Sequence, residues 1–150
     1  RGLFMIPKST YGFRPVNLYA NNDSANGGVC VTSILRSQNG KLWVGSDGGG
    51  LYLISGNNKI LNFSKHNSQL TNNSIMAMVE DKRGTIWIAT YLGGLYTLAA
   101  GQKQIVPYSK LHDMKLSCLA YDKLQDILYV GSLGNGVKAI SLSTNEIILR

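Results

Sequence analysis

Hydrophobic and polar positions along this chain alternate over short runs separated by glycine or polar turns. The runs Leu42-Trp43-Val44-Gly45-Ser46, Ile86-Trp87-Ile88-Ala89-Thr90 and Leu128-Tyr129-Val130-Gly131-Ser132 set large residues against small or polar ones. Such alternation predicts strands with one face packed on a neighbouring sheet. Glycines follow each run, supplying positive φ or room for close backbone, and Leu51-Tyr52-Leu53-Ile54 and Leu95-Tyr96-Thr97-Leu98 then leave as the second arm of a hairpin. A further strand precedes each hairpin, over Val31–Leu35, Ile75–Val79 and Cys118–Tyr121. It ends in the polar turn Ser37–Gly40, Asp81–Gly84 or Asp122–Asp126, with Asp126 standing where the other copies have glycine. A fourth strand follows, over Lys59–Phe63, Gln104–Tyr108 and Glu146–Leu149. Pro107 suits an outer edge strand, where a missing N–H costs little. No window holds apolar residues at three- and four-residue spacing without interruption, so no helix of useful length is predicted.

The unit repeats. Trp43 to Tyr52 returns as Trp87 to Tyr96 and, in worn form, as Tyr129 to Lys138; the closing glycines Gly50, Gly94 and Gly136 are spaced by 44 and 42 residues. Four antiparallel strands at that period predict an all-β fold of β-propeller blades. Gly2-Leu3-Phe4-Met5-Ile6 superposes on Gly50-Leu51-Tyr52-Leu53-Ile54, so the chain is expected to begin inside a blade. Residues 1–28 are then the end of a preceding blade and its loop, with an outer strand over Tyr11–Tyr19. Blades follow over 29–72, 73–114 and 115–150, linked through 65–72 and 110–114. Propellers close with about 4–8 blades, so three complete blades plus the end of another read as a fragment of a larger propeller.

Composition narrows the classes without naming a ligand. With 44% hydrophobic residues and 17 glycines among 150, the chain is a folded one rich in tight turns. No apolar run approaches the ~18 residues of a membrane-spanning helix. The start carries neither an initiator methionine nor a signal-peptide pattern, and a mature or excised piece is expected. The net charge of +7 favours an anionic partner, with Lys65, Lys110, Lys115 and Arg14 as loop or edge cations. No aromatic-and-basic RNA-binding motif accompanies it, and direct nucleic-acid contact is not expected.

Most candidate chemistry resolves into structure. Trp43 and Trp87 occupy equivalent positions and are expected to pack between blades. No lysine-serine/threonine pair or helix follows Gly48-Gly49-Gly50, so the run is a hairpin turn, not a phosphate loop. His66 and His112 fall in the linking loops and are expected to be solvated. Asn22, Ser24, Asn26 and Gly27 match positions one, three, five and six of a calcium loop, but position twelve is Ser33, so a polar turn is expected. Cys30 and Cys118 fall at non-equivalent repeat positions, which suggests no repeated metal site; two buried free thiols are expected. Neither a cofactor nor a metal is implied.

The segments Asn72-Asn73-Ser74-Ile75, Glu80 to Thr90 and Gly93-Gly94-Leu95-Tyr96 closely resemble the two-component regulator propeller repeat, and Asn39 to Leu51 is similar to it nearly as well. The third copy departs at Asp126, at Tyr129 for tryptophan and at Gly136-Val137-Lys138. The resemblance implies a periplasmic sensor segment of a hybrid two-component signalling protein, typically within paired seven-bladed propellers, that responds to a glycan fragment. Family members continue into a β-sandwich, a membrane span, a histidine kinase, a receiver and a DNA-binding module, all outside these residues. The implied partners are the remaining blades or a second propeller, and a second copy in a dimer.

Blade topology gathers the hairpin loops and the linking loops on one face of the disc. Asp47, Tyr91, His66, Asn72 and Asn135 are expected there as non-catalytic contacts to an oligosaccharide, acidic or neutral, or to a partner domain. Two other readings stand beside this one. A propeller lyase acting on a glycan or antibiotic would need an acid and a base, for which His66 with Tyr91 is the one pair available. A purely structural scaffold would transmit dimer geometry and bind nothing small.

Overall fold

The computed structural model describes residues 2–5, 14–16, 18, 29–56 and 59–149. Among these every regular element is a strand. The strands β1 (Leu3–Met5) and β2 (Arg14–Val16) pair antiparallel, Leu3 opposite Val16. Three four-stranded antiparallel sheets follow. The first holds β3 (Cys30–Arg36), β4 (Leu42–Asp47), β5 (Gly50–Ile54) and β6 (Ile60–Phe63) in chain order. β7 (Ile75–Glu80), β8 (Ile86–Thr90), β9 (Gly94–Leu98) and β10 (Val106–His112) form the second. β11 (Leu116–Asp122), β12 (Ile127–Ser132), β13 (Val137–Ser141) and β14 (Glu146–Leu149) form the third. The loop 21–28, including the calcium-loop-like residues Asn22 to Gly27, lies outside the described residues.

Each sheet is a blade, and the blades meet along β3, β7 and β11, which stand side by side as innermost strands. The hydrophobic cores therefore lie between sheets. Trp43, Leu51 and Leu53 of the first blade pack with Ile75, Met78, Ile88 and Tyr96 of the second. Trp87, Ala89, Leu95 and Leu111 of the second pack with Leu116, Leu128, Val130 and Ile140 of the third. Leu18 joins Val44, Tyr52 and Ile54 on the other side of the first blade, beside half-buried Leu3 and Val16. As their equivalent positions predict, both tryptophans are interblade core. Each also meets an aromatic of its own outer strand, Trp43 against Phe63 at 6.0 Å and Trp87 edge-on to Tyr108 at 5.3 Å.

All three innermost strands carry a bulge at the same place, between Val31 and Ser33, Ile75 and Ala77, and Leu116 and Cys118. After it a small pair meets across the ladder: Ser33 with Gly45, Ala77 with Ala89, Cys118 with Gly131. A side chain on Gly45 or Gly131 would strike its partner, its Cβ lying 2.4 Å from Ser33 Oγ or 2.3 Å from Cys118 Sγ. Close approach requires small residues here.

Two expectations need correction. The segment 110–114 is not wholly a linker, because β10 runs to His112, which pairs with Gly94 beyond a bulge that starts at Pro107. Edge position explains the misreading: Ser109, Lys110 and His112 are polar and exposed around the bulge, while Leu111 is buried. The cysteines are free as expected but both exposed, not buried. Cys30 belongs to the outward set that alternates along β3, and Cys118 sits over Gly131, which offers no side chain to cover the sulfur.

Candidate recognition surface

The hairpins share a lock. Ser46 Oγ donates to Gly50 O at 2.9 Å, Thr90 Oγ1 to Gly94 O at 2.9 Å and Ser132 Oγ to Gly136 O at 2.8 Å, so a hydroxyl closes each loop onto the glycine that ends it. Gly50 and Gly94 hold φ near +80° (82° and 80°), and a Cβ on them would fall 2.3 Å from Phe63 O and 2.1 Å from Leu111 O. Both the dihedral and the adjacent outer strand demand glycine. Within that frame the residue after the locking hydroxyl changes from Asp47 to Tyr91 to Leu133.

The entry to the second blade ties neighbouring hairpins together. Asn73 O accepts from Gly50 N at 2.8 Å and Ser74 O accepts from Tyr91 N at 2.9 Å. The same pair recurs at the next junction, with Met114 O accepting from Gly94 N at 3.1 Å and Lys115 O from Leu133 N at 2.8 Å. Asn72 Oδ1 accepts from Ser74 N at 2.8 Å, and Ser74 Oγ donates to Asp47 Oδ1 at 2.5 Å. Ser74 is thus the hub joining Asp47, Asn72 and Tyr91. Sequence reasoning passed over it, although its place in the Asn72-Asn73-Ser74 turn was a usable signal for a junction residue.

The five candidate residues divide. Asp47, Asn72 and Tyr91 converge on Ser74, leaving Asp47 exposed and the Tyr91 side open at 38% of its surface. His66 lines a separate cleft at the outer rim, formed with Phe63, Gln69 and residues 102–105, to which Tyr91 does not contribute. Asn135 stands exposed in the third hairpin loop. His112, the other histidine, contacts Asp113 Oδ2 through Nδ1 at 2.9 Å in an exposed pair. Among the described residues no group of three or more His, Cys, Asp and Glu side chains could hold a metal ion.

The opposite face is wired for rigidity. Asp81 Oδ1 accepts from Arg83 N and Thr85 N, and its Oδ2 from Trp87 Nε1 at 3.0 Å. Across the blade boundary Arg83 holds both oxygens of Asp126, Tyr121 Oη donates to Asp126 Oδ1 at 2.8 Å, and Lys82 Nζ lies 3.1 Å from Oδ2. The Arg83 hydrogen bonds hold the Asp126 carboxyl well below the usual carboxylate range, Tyr121 and Lys82 adding to the effect against the cost of burial. Burial raises the Tyr121 phenol, with the neighbouring carboxylates acting in the same direction.

Adjacent four-stranded blades with interblade cores, locked hairpins and variable loops define a β-propeller segment. The two-component regulator propeller family model matches residues 26–48 and 69–92. Among solved structures it is similar to the extracellular domain of a protein described as a hybrid two-component system of B. thetaiotaomicron, at 28% identity and a TM-score of 0.66, over 85% of this chain and 17% of that one. A second extracellular domain from B. thetaiotaomicron, described as that of a one-component system, aligns at 21% identity and a TM-score of 0.67 over 86% of this chain and 18% of the other. An auxiliary nutrient binding protein of Bacteroides ovatus aligns at 15% identity and a TM-score of 0.58, over 78% and 30% of the two chains. The latter two likenesses concern fold alone. Among curated proteins no match was found. The chain spans less than a fifth of the length of the two B. thetaiotaomicron domains.

Proposed function

We propose that this chain is a non-catalytic recognition segment of the extracytoplasmic, periplasmic sensor region of a hybrid two-component signalling protein, and that its ligand is an oligosaccharide. The observation that carries the reading is the constant hairpin frame with a changing tip: Ser46, Thr90 and Ser132 lock the loops alike, while Asp47, Tyr91 and Leu133 differ. A fixed scaffold with variable tips suits modular recognition. Support also comes from the repeat family and from the 28% identical extracellular domain. Asp47, Asn72 and Tyr91 offer hydroxyl-binding groups and an aromatic face beside Ser74, with Asn135 on the neighbouring blade's loop. The remaining blades or a second propeller, with a second copy of the protein, complete the assembly, and any kinase activity belongs outside this chain.

Thermal melts of the chain with a panel of neutral and acidic oligosaccharides test the reading. A ligand that binds the folded state raises Tm by mass action, and chromatography recovers the sugar unaltered. Melts that stay put across the panel at millimolar sugar contradict the ligand, and shortened sugar contradicts the non-catalytic assignment.

A further inference from the structure

The rim cleft at the boundary of the first two blades is set apart by what builds it. The first link between blades is long, residues 64–74, whereas residues 113–115 suffice for the second. The connection from β9 to β10, residues 99–105, is likewise longer than that from β13 to β14, residues 142–145. Both extensions meet at one place, enclosing an open cleft of about 590 Å³ lined by Phe63, His66, Gln69, Gln102, Lys103 and Gln104. At the next boundary side chains bridge the corresponding gap, Tyr108 Oη donating to Asn145 Oδ1 at 2.7 Å and Lys110 Nζ to Asn145 O. The cleft is a local departure from an economical repeat.

Hydrogen bonds and core packing hold its walls, through the lining residues Asn67, Ser68 and Ile105. Ser64 N donates to Asn67 Oδ1 at 2.7 Å, Asn67 Nδ2 to Asn62 O at 2.9 Å, and Ser68 N and Oγ both to Ser64 O. Ile105, 1% exposed, anchors the opposite wall in the interblade core. The side chains of His66, Gln69, Gln102, Lys103 and Gln104 have no partner among the described residues. Three free amides, each both donor and acceptor, thus line one cleft with a half-buried phenylalanine, an imidazole and an ammonium. Neither wall carries a carboxylate; the sequence holds none from Gly48 to Val79 or from Lys82 to His112. Amides read hydroxyls, an aromatic face takes an apolar ring side, and a lone positive charge without acids favours an anion.

We infer that this rim cleft binds an acidic carbohydrate, Gln69, Gln102 and Gln104 reading its hydroxyls and Lys103 with His66 meeting its carboxylate. The inference rests on the oligosaccharide-sensing reading and moves the contact from the hairpin loops to the rim.

The test is amide chemical-shift mapping on the isotope-labelled full 150-residue chain, titrated with trigalacturonate and with neutral maltotriose. Saturable shifts are expected at His66, Gln69 and Gln102–Gln104 with trigalacturonate. Lys103→Gln should weaken binding about fivefold. The double variant Gln102→Ala/Gln104→Ala, whose wild-type side chains are exposed and unpartnered, should abolish it. Equal binding of maltotriose overturns the acidic assignment. Shifts confined to Asp47, Asn72 and Tyr91 overturn the cleft and leave the sensor reading standing, whereas no shift with either sugar overturns the cleft and counts against both.

Discussion

Arg83 grips Asp126 with both ends of its guanidinium, Nη1 to Oδ1 at 3.2 Å and Nη2 to Oδ2 at 2.7 Å, across the boundary between the second and third blades. Asp126 is 4% exposed and holds a positive φ of 56°, so the same residue takes the left-handed turn position that glycine fills at Gly40 and Gly84 and carries the interblade ion pair. An aspartate that replaces glycine in the repeat pattern is therefore a gain of contact, tolerated because Asp adopts αL more readily than most residues.

Asp126→Ala should lower Tm by several degrees, Arg83→Lys by less because one arm of the fork remains, and Lys82→Ala hardly at all because Lys82 is 43% exposed. The pH dependence has a definite sign. With its folded pKa depressed, Asp126 contributes fully above the unfolded value of about 3.9, and that contribution is lost as pH falls below it toward the folded value. Melts from pH 7 to pH 3 should show wild type losing more stability than Asp126→Asn; parallel losses contradict the latch.

Ser37 stands at the position of Asp81 but cannot do its work. Asp81 Oδ2 accepts from Trp87 Nε1 at 3.0 Å, whereas Trp43 Nε1, the equivalent donor, is buried with no partner. Ser37 Oγ is spent instead on Asn39 Oδ1 at 2.6 Å and Lys41 O at 3.0 Å. Ser37→Asp should satisfy the indole and raise stability by about 1 kcal/mol, roughly 3 °C in Tm for a domain of this size. Combined with Trp43→Phe the gain should vanish, which separates the indole bond from a general charge effect.

Gly94→Ala and Gly134→Ala share a positive φ, 80° and 97°, but differ in surroundings. An added Cβ at Gly94 lies 2.1 Å from Leu111 O, while at Gly134 nothing lies within 4 Å. Denaturant titration should show the first costing about 3 kcal/mol or more and the second about 1 kcal/mol. Equal costs would mean that the dihedral alone demands glycine.

Cys30 and Cys118 are both exposed, so both should react with a thiol reagent in the native protein within minutes, giving two equivalents without denaturant. Reaction only after unfolding would return them to the buried class that their residue type suggested.

The blade plan was legible because its causes are local. Alternation around Trp43 and Trp87, the glycines that end the hairpins and the 44- and 42-residue spacings together define strands, turns and period. What escaped was made by distant partners. Nothing near Asp126 announces Arg83, and nothing near Ser74 announces that Asp47 and Tyr91 meet there. The end of β10 escaped for another reason, since this edge strand exposes Lys110 and His112 and the segment 110–114 therefore read as a link. Of the candidate site, Asp47, Asn72 and Tyr91 come together as blade topology suggested, while His66 goes to the rim because the extended link carries it outward.

Calorimetric titration of the chain with acidic and neutral oligosaccharides decides whether these blades bind a ligand. The sensor reading predicts a saturable heat with at least one sugar, reduced by Tyr91→Ala or by Gln102→Ala/Gln104→Ala according to which surface holds it. A folded chain that gives only heats of dilution across the panel contradicts it, and leaves these blades as a scaffold.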